Sequence, residues 1–166
     1  MGAIRSIELR RRRTDAVFER AKLVATLERG QELEADYARH LCVLVSGFLE
    51  KAVAEIVVAY AEGKGARPVI SYLESNLRRL RNVDKDRLLT VVGQLDLGWR
   101  GQVEAFVVDE KQAAVNSIVG LRNDIAHGGG GSISLSQVSQ YWLQVQAVVE
   151  FVEILLLPPL PHRRHT

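Results

Sequence analysis

Leu121-Arg122-Asn123-Asp124-Ile125-Ala126-His127, followed directly by Gly128-Gly129-Gly130-Gly131, is the stretch around which this chain is organised. The apolar residues before it recur at helical spacing and predict a helix over 109–127, with Asp109 as its N-cap. Glycine commonly follows a helix end, so Gly128 marks the stop. An arginine and a histidine five positions apart therefore lie at the end of an otherwise apolar helix.

Outward from this stretch, every periodic segment of the sequence predicts a helix. The predicted helices span 4–29 (ended by Gly30), 32–62, 67–80, 85–95 (capped by Asp84), 109–127 and 135–157 (capped by Ser134 or Ser136), and only a short helical piece is expected from 101 to 107. The glycines and polar residues at 96–101 are expected to interrupt the pattern, and Gly47 beside Phe48 is expected to allow close approach of another helix. The predicted fold is an all-α, up-and-down helical bundle of about five to six helices. One domain is expected over 1–157, with a flexible tail at 158–166.

The amino-acid composition is ordinary for a soluble globular protein and does not by itself indicate a nucleic-acid-binding protein. Of the 166 residues, 47% are hydrophobic, 25% are charged and 6% are aromatic, and the net charge is +2. Seventeen of the 22 basic residues are Arg, which suits phosphate recognition; the alternative interpretation is the codon usage of a GC-rich genome. The run Arg10–Arg13 fans out around a helix; a solvated face is the more frequent interpretation and an RNA-contacting patch the alternative.

The sequence contains few features that indicate a cellular compartment. The lone cysteine, Cys42, lies in an apolar run and is predicted to be a core residue. The start of the chain lacks the apolar run of a signal peptide. The longest apolar stretch, 148–157, contains Glu150 and Glu153 and is too short to span a bilayer. A cytoplasmic protein without membrane association is expected.

Most catalytic motifs are absent, which leaves Arg122 and His127 as the candidate chemistry. The sequence has no phosphate-binding loop after a strand, no zinc-spaced Cys/His cluster and no recognisable Ser or Cys nucleophile, so no metal and no cofactor are expected. The spacing of the pair is weak evidence, since about 0.4 such pairs arise by chance from the Arg and His counts. One alternative is simple helix-end chemistry, because basic side chains interact well with a helix C-terminus.

The combination of motif, position and helix order resembles the HEPN superfamily. Arg122, Asn123 and His127 match the Arg-x(4–6)-His motif with its polar residue after the Arg, and the long helix carrying Ser46-Gly47-Phe48-Leu49-Glu50 looks most like the RiboL-PSP-HEPN branch. The resemblance covers roughly 30–157. It implies a dimerising helical bundle and, in active members, a metal-independent endoribonuclease. A related branch that partners a nucleotidyltransferase antitoxin carries Tyr two residues after the His; Gly129 stands there, which argues against control by nucleotidylation of such a tyrosine.

The chemistry is consistent with these residue types. RNA supplies its own nucleophile, the 2′-hydroxyl; histidine transfers protons near neutral pH, and Arg neutralises charge on phosphoryl oxygens. Asn123 shares a helical face with His127, whereas Arg122 lies about 140° away from it. A homodimer placing two Arg and two His in one cleft would complete the site. Glu50 is predicted to orient Arg122 or His127; the alternatives are a surface carboxylate or a simple ion pair. Asp124 is a second supporting candidate.

Three functions follow from this interpretation. The first is a metal-independent endoribonuclease acting on RNA, as a toxin or an anti-phage defence component. The second is a non-catalytic module that binds RNA or a partner protein. The third is a regulatory subunit whose antitoxin or other partner protein is encoded nearby.

Overall fold

The computed structural model describes residues 2–26, 30–129 and 132–157, and within them it contains helices and no strand. Seven α-helices follow one another along the described chain, and the structure is 83% helical. Their bounds are α1 Gly2–Val24, α2 Gly30–Glu62, α3 Arg67–Leu77, α4 Lys85–Gly93, α5 Leu97–Phe106, α6 Asp109–Ala126 and α7 Leu135–Leu156. The all-α class is confirmed, with slightly more helices than the five to six expected.

The long helix α2 is the centre of the bundle. Its 33 residues correspond to a length of about 50 Å. It packs against α1, α3, α6 and α7, while α7 also packs against α5 and α6. Because α2 has neighbours on several sides, its middle turns are apolar around most of their circumference and are buried at Leu41, Cys42, Val45, Leu49, Val53 and Ile56. The prediction that Cys42 is a core residue is confirmed.

An aromatic cluster with one polar anchor fastens α1 to the rest of the bundle. The Trp142 ring of α7 stacks on Phe18 of α1 and meets Phe48 of α2 edge-on, at centroid distances of 6.0 and 4.8 Å. Its indole Nε1–H donates to the Asp15 carboxylate at 2.7 Å, so the buried ring keeps its hydrogen bond. The three helices therefore meet at one buried tryptophan.

Several predicted helix ends are confirmed. Asp84 caps α4 by accepting from the Arg87 backbone N–H at 2.8 Å. Of the two serines proposed for α7, Ser134 is the cap, accepting from the Gln137 backbone N–H at 3.1 Å. Helix α6 ends at Ala126, just before Gly128, as predicted.

Other boundaries differ from the sequence-based expectation. Gly30 begins α2 instead of ending α1, which stops at Val24; residues 27–29 lie outside the described residues, as do Gly130, Gly131 and the expected tail. The expected break at 96–101 is wrong: Asp96 accepts from the Trp99 backbone N–H at 2.9 Å and so starts α5 at Leu97.

The cap of α6 also differs from the prediction. Its N-cap is Val108, which has an extended backbone and makes no side-chain capping bond. Asp109 is instead the first residue of the helix, with a φ of 49°, a left-handed conformation that Asp tolerates better than most residues.

Candidate active site

One face of α6 carries the candidate residues and the opposite face holds the helix in the bundle. Ala114, Val115, Ile118 and Val119 are buried against neighbouring helices. On the other side lies a line that we call the α6 outer face, spaced three to four residues apart and facing outward, which consists of Asn116, Gly120, Asn123 and His127. His127 is exposed and Asn123 is half-buried. The imidazole therefore lies at the accessible end of a firmly packed helix.

The turn after α6 fixes the backbone of His127. His127 is the C-cap, and its backbone N–H donates to the Asn123 carbonyl at 3.0 Å. The Gly128 N–H then donates to the Ile125 carbonyl at 3.2 Å and the Gly129 N–H to the Asp124 carbonyl at 2.8 Å. This pair of bonds is a Schellman motif, which leaves the helix by one left-handed residue. Gly128 supplies that residue, with a φ of 75°.

Position 129 requires glycine because there is no room for a side chain, and not because of its φ angle. A Cβ atom at this position would lie 2.9 Å from the Asp124 carbonyl oxygen, closer than real Cβ contacts come. Any side chain at 129 must therefore open the Schellman turn. At position 129, where the related branch carries tyrosine, this helix end thus accommodates only glycine without opening the turn. The contribution of Asp124 comes through its backbone, since its exposed side chain makes no hydrogen bond or ion pair within the described chain.

Within the described residues, Arg122 is paired with Asn123 and not with His127. The half-buried Arg122 guanidinium donates from Nη1 to the Asn123 Oδ1 at 3.1 Å. No hydrogen bond joins Arg122 to His127 among the residues that the structure describes. The separation follows from the angle of about 140° between positions five apart on a helix. A single chain therefore presents an Arg–Asn pair and an exposed His as neighbouring but separate elements.

Glu50 lies beside the α3–α4 connection, where it contacts Asn82 and Arg81. It is only 5% exposed, and its Oε1 accepts from the Asn82 backbone N–H at 2.9 Å. Its Oε2 lies 3.9 Å from the Arg81 guanidinium. Within the described residues neither oxygen is hydrogen-bonded or ion-paired to Arg122 or His127. The carboxylate thus faces the α3–α4 connection, in which Asn82 has a left-handed φ of 54°.

The role of that connection was not evident from the sequence. The Lys85 backbone N–H donates to the Asn116 Oδ1 at 3.0 Å, and its ammonium group donates to the Gln112 Oε1 at 2.9 Å. The α3–α4 connection is thus fastened to α2 by Glu50 and to the α6 outer face by Asn116. The available sequence signal was the Asn82-Val83-Asp84 turn, since Asn is one of the few residues other than Gly that adopt left-handed conformations.

The described residues contain neither a metal-binding cluster nor a helix that could cross a membrane. Across residues 2–26, 30–129 and 132–157, no group of three or more His, Cys, Asp or Glu side chains is arranged to hold a metal ion. Over the same ranges, no helix combines the length and the apolar character needed to cross a membrane.

Comparison with known proteins identifies one family. The family model described as RiboL-PSP-HEPN matches residues 9–157, which includes all of α2 to α7 and most of α1. No curated protein and no solved structure matches the chain.

Proposed function

The chain belongs to the RiboL-PSP-HEPN family, and from that premise we propose that it is a metal-independent endoribonuclease with Arg122 and His127 at its active site. The HEPN family is associated with ribonuclease and other RNA-related functions, and HEPN domains often bind RNA and dimerise. The observation that carries the proposal is the exposed His127, held by a Schellman turn one helical turn from the Arg122–Asn123 pair. Asn123 is the third proposed site residue, because it orients the guanidinium.

The proposed reaction uses the RNA's own 2′-hydroxyl as nucleophile. One imidazole accepts the 2′-hydroxyl proton while the 2′-oxygen bonds to phosphorus. The bond to the 5′-oxygen breaks, and a second, protonated imidazole donates a proton to that leaving oxygen. The products are a 2′,3′-cyclic phosphate and a 5′-hydroxyl. The Arg122 guanidinium stabilises the charge that develops on the non-bridging phosphoryl oxygens.

A homodimer supplies the second imidazole in this proposal. In the α6 outer face, a Cβ atom at Gly120 would have no neighbour within 4 Å, so a second helix can approach closely there. Two α6 helices related by a two-fold axis would bring both copies of Arg122 and of His127 to one cleft. The open surface at Gly120 and the divergence of Arg122 from His127 both support this arrangement.

Cleavage of a labelled single-stranded RNA by the purified protein in excess EDTA tests the proposal. We expect cleavage by the native protein, a loss of about 10²–10⁴-fold in rate in His127→Ala, and 2′,3′-cyclic phosphate ends on the products. His40→Ala is the matched control, since His40 is an exposed histidine on α2. Loss of cleavage in EDTA contradicts the mechanism, and unchanged cleavage by His127→Ala contradicts the site.

The biological role that we propose is that of a toxin or an anti-phage defence component. Induced expression in cells is then expected to arrest growth, and His127→Ala is expected to abolish the arrest. Equal growth arrest by both forms would contradict the role.

One observation favours an alternative function without cleavage. Arg122 is hydrogen-bonded to Asn123 and not to His127, and Glu50 is engaged at the α3–α4 connection. A module that binds RNA or a partner protein, including a regulatory subunit of a toxin–antitoxin pair, needs no closer arrangement. RNA binding by the native protein with no cleavage under any tested condition would select this alternative.

A further inference from the structure

A groove runs along the junction of α1 and α2 and shares no residue with the proposed active site. Its central section has a volume of about 290 Å³. We call this section the α1–α2 groove, and its lining consists of Arg10, Arg13, Thr14, Val43, Leu44, Gly47, Phe48 and Lys51. A cavity of about 420 Å³ that shares Arg10 and Lys51 continues it between α1, α2 and α3, and a separate cavity of about 380 Å³ lies between α1 and α2 beyond its other end. The groove is therefore long enough to follow several helical turns.

The sides and floor of the groove follow from helical spacing. On α1, positions 10, 13, 17 and 20 fall within an arc of about 80° and form a row about 15 Å long that contains three arginines. On α2, positions 40, 43, 47, 51, 54 and 58 fall within a similar arc. An ordered basic edge thus borders an elongated strip of α2 that is exposed at His40 and Val43 and half-buried at its other positions.

The charged residues of the α1–α2 groove itself are basic, whereas the two cavities beyond it also contain Asp36, Glu55, Glu62 and Glu74. The charged residues that line the groove are Arg10, Arg13 and Lys51. Arg10 is neutralised by Glu55 at 3.2 Å. Arg13 and Lys51 make no hydrogen bond or ion pair with any residue that the structure describes. Two cations therefore face the groove without an internal counter-charge, which favours an anionic occupant.

The aliphatic residues on the floor of the groove favour one class of anionic ligand over another. Val43, Leu44 and Gly47 make it largely aliphatic, and Val43 is 41% exposed. Single-stranded nucleic acid binds on exposed aromatic platforms, whereas Phe48 is only 3% exposed and is packed against Trp142. An aliphatic strip bordered by cations instead suits the apolar face of an amphipathic helix with acidic flanks.

Gly47 adds a geometric reason for a helical occupant. The sequence suggested that Gly47 allows another helix to approach closely, yet a Cβ atom there would have no neighbour within 4 Å in this chain. Gly in a helix interior costs roughly 1 kcal/mol relative to Ala. The packing of this chain does not require glycine at this position, but a helix seated in the groove would.

We propose that the α1–α2 groove binds an acidic amphipathic helix of a partner protein. The apolar face of that helix packs on Val43 and Gly47, and its carboxylates pair with Arg13 and Lys51. Binding there leaves Arg122 and His127 uncovered. The groove is thus a docking surface that is independent of the proposed ribonuclease activity.

A peptide-binding measurement on the full chain tests this proposal. The probe is a synthetic, stapled helical peptide with Leu along one face, Glu on both flanks and a fluorescent label, and its twin carries Lys in place of Glu. Fluorescence anisotropy gives the dissociation constants. We expect saturable binding of the acidic peptide only, weakened about tenfold or more by Arg13→Glu combined with Lys51→Glu. The control is Lys64→Glu combined with Arg87→Glu, which changes the net charge equally at exposed positions outside the groove.

A second pair of variants tests the shape of the groove. Gly47→Met places a side chain in the groove where no chain atom is near, so we expect a folded protein with about tenfold weaker binding. Gly101→Met is the matched control, since Gly101 is also helical and also has open space around its Cβ position. The proposal is wrong if the acidic peptide does not bind, if its lysine twin binds equally, or if the groove variants and their controls behave alike. It is also wrong if the double charge reversal weakens binding of a single-stranded RNA oligonucleotide instead of the peptide.

Discussion

Replacement of Glu50 distinguishes a structural role from a catalytic one, because its contacts are with the α3–α4 connection. Glu50→Ala removes a hydrogen bond between a carboxylate and the Asn82 N–H, an interaction of about 1.5–3 kcal/mol. It also removes buried methylene contacts of about 1 kcal/mol. The loss is offset in part because a 5% exposed carboxylate no longer needs to be desolvated. We expect a net destabilisation of about 2 kcal/mol, or about 4–8 °C in melting temperature.

Glu50→Gln separates the two roles more sharply. The amide keeps an oxygen that accepts from Asn82 and nearly the same volume, so we expect a loss of about 1 kcal/mol. Thermal melts and cleavage rates per folded molecule are measured on the same preparations, with Glu62→Gln at the exposed end of α2 as control. We expect cleavage within about twofold of the native rate. If Glu50→Gln keeps the native melting temperature but loses cleavage, Glu50 belongs to the catalytic cluster and its role is not structural.

Three further predictions concern the helix end, a cap and a titrating group. Gly129→Ala is expected to destabilise the protein by about 1–2 kcal/mol and to slow cleavage, because its Cβ opens the turn that fixes the histidine, whereas Gly101→Ala is neutral or stabilising in the same melts. Ser134→Ala is expected to cost about 1 kcal/mol in denaturant unfolding and Ser136→Ala within about 0.5 kcal/mol of zero, and the reverse order would contradict the assigned cap. Burial raises the pKa of Glu153 and outweighs the opposing effect of the nearby Arg11 guanidinium, with smaller upward effects from Glu150 and Glu8, so the folded chain holds that proton to higher pH than the unfolded chain. Glu153→Gln should therefore be more stable than the native protein at pH 7, and the difference should vanish as the pH falls below the ordinary value of 4.5; equal stability at pH 7 would contradict the shift.

The sequence was sufficient for the fold class because helical periodicity and caps are local signals. The apolar stripe of 32–62 predicted α2 nearly to the residue, and Asp84 predicted the start of α4. The prediction failed at 96–101, where two glycines indicate a break in the helical pattern. Asp96 instead caps α5, which contains both glycines. The prediction failed again at Gly30, where glycine begins a helix instead of ending one.

The candidate site was only partly predictable, because its remaining contacts are between distant segments. The separation of Arg122 and His127 follows from helical geometry alone, and the stop at Gly128 follows from the glycine rule. The contact of Glu50 with Asn82 joins residues 32 positions apart and depends on how α2 packs beside the α3–α4 connection. No periodicity in the sequence contains that information.

Mixing of native and variant chains tests whether two α6 ends form one ribonuclease site. Native protein is unfolded and refolded with an increasing excess of His127→Ala chains, and the RNA cleavage rate in EDTA is expressed per native chain. One reaction needs both copies of His127, so we expect the cleavage rate per native chain to fall as mixed dimers form. An excess of His40→Ala chains is not expected to lower this rate. A rate per native chain that stays constant as His127→Ala is added, or no cleavage by the native protein, would contradict the claim.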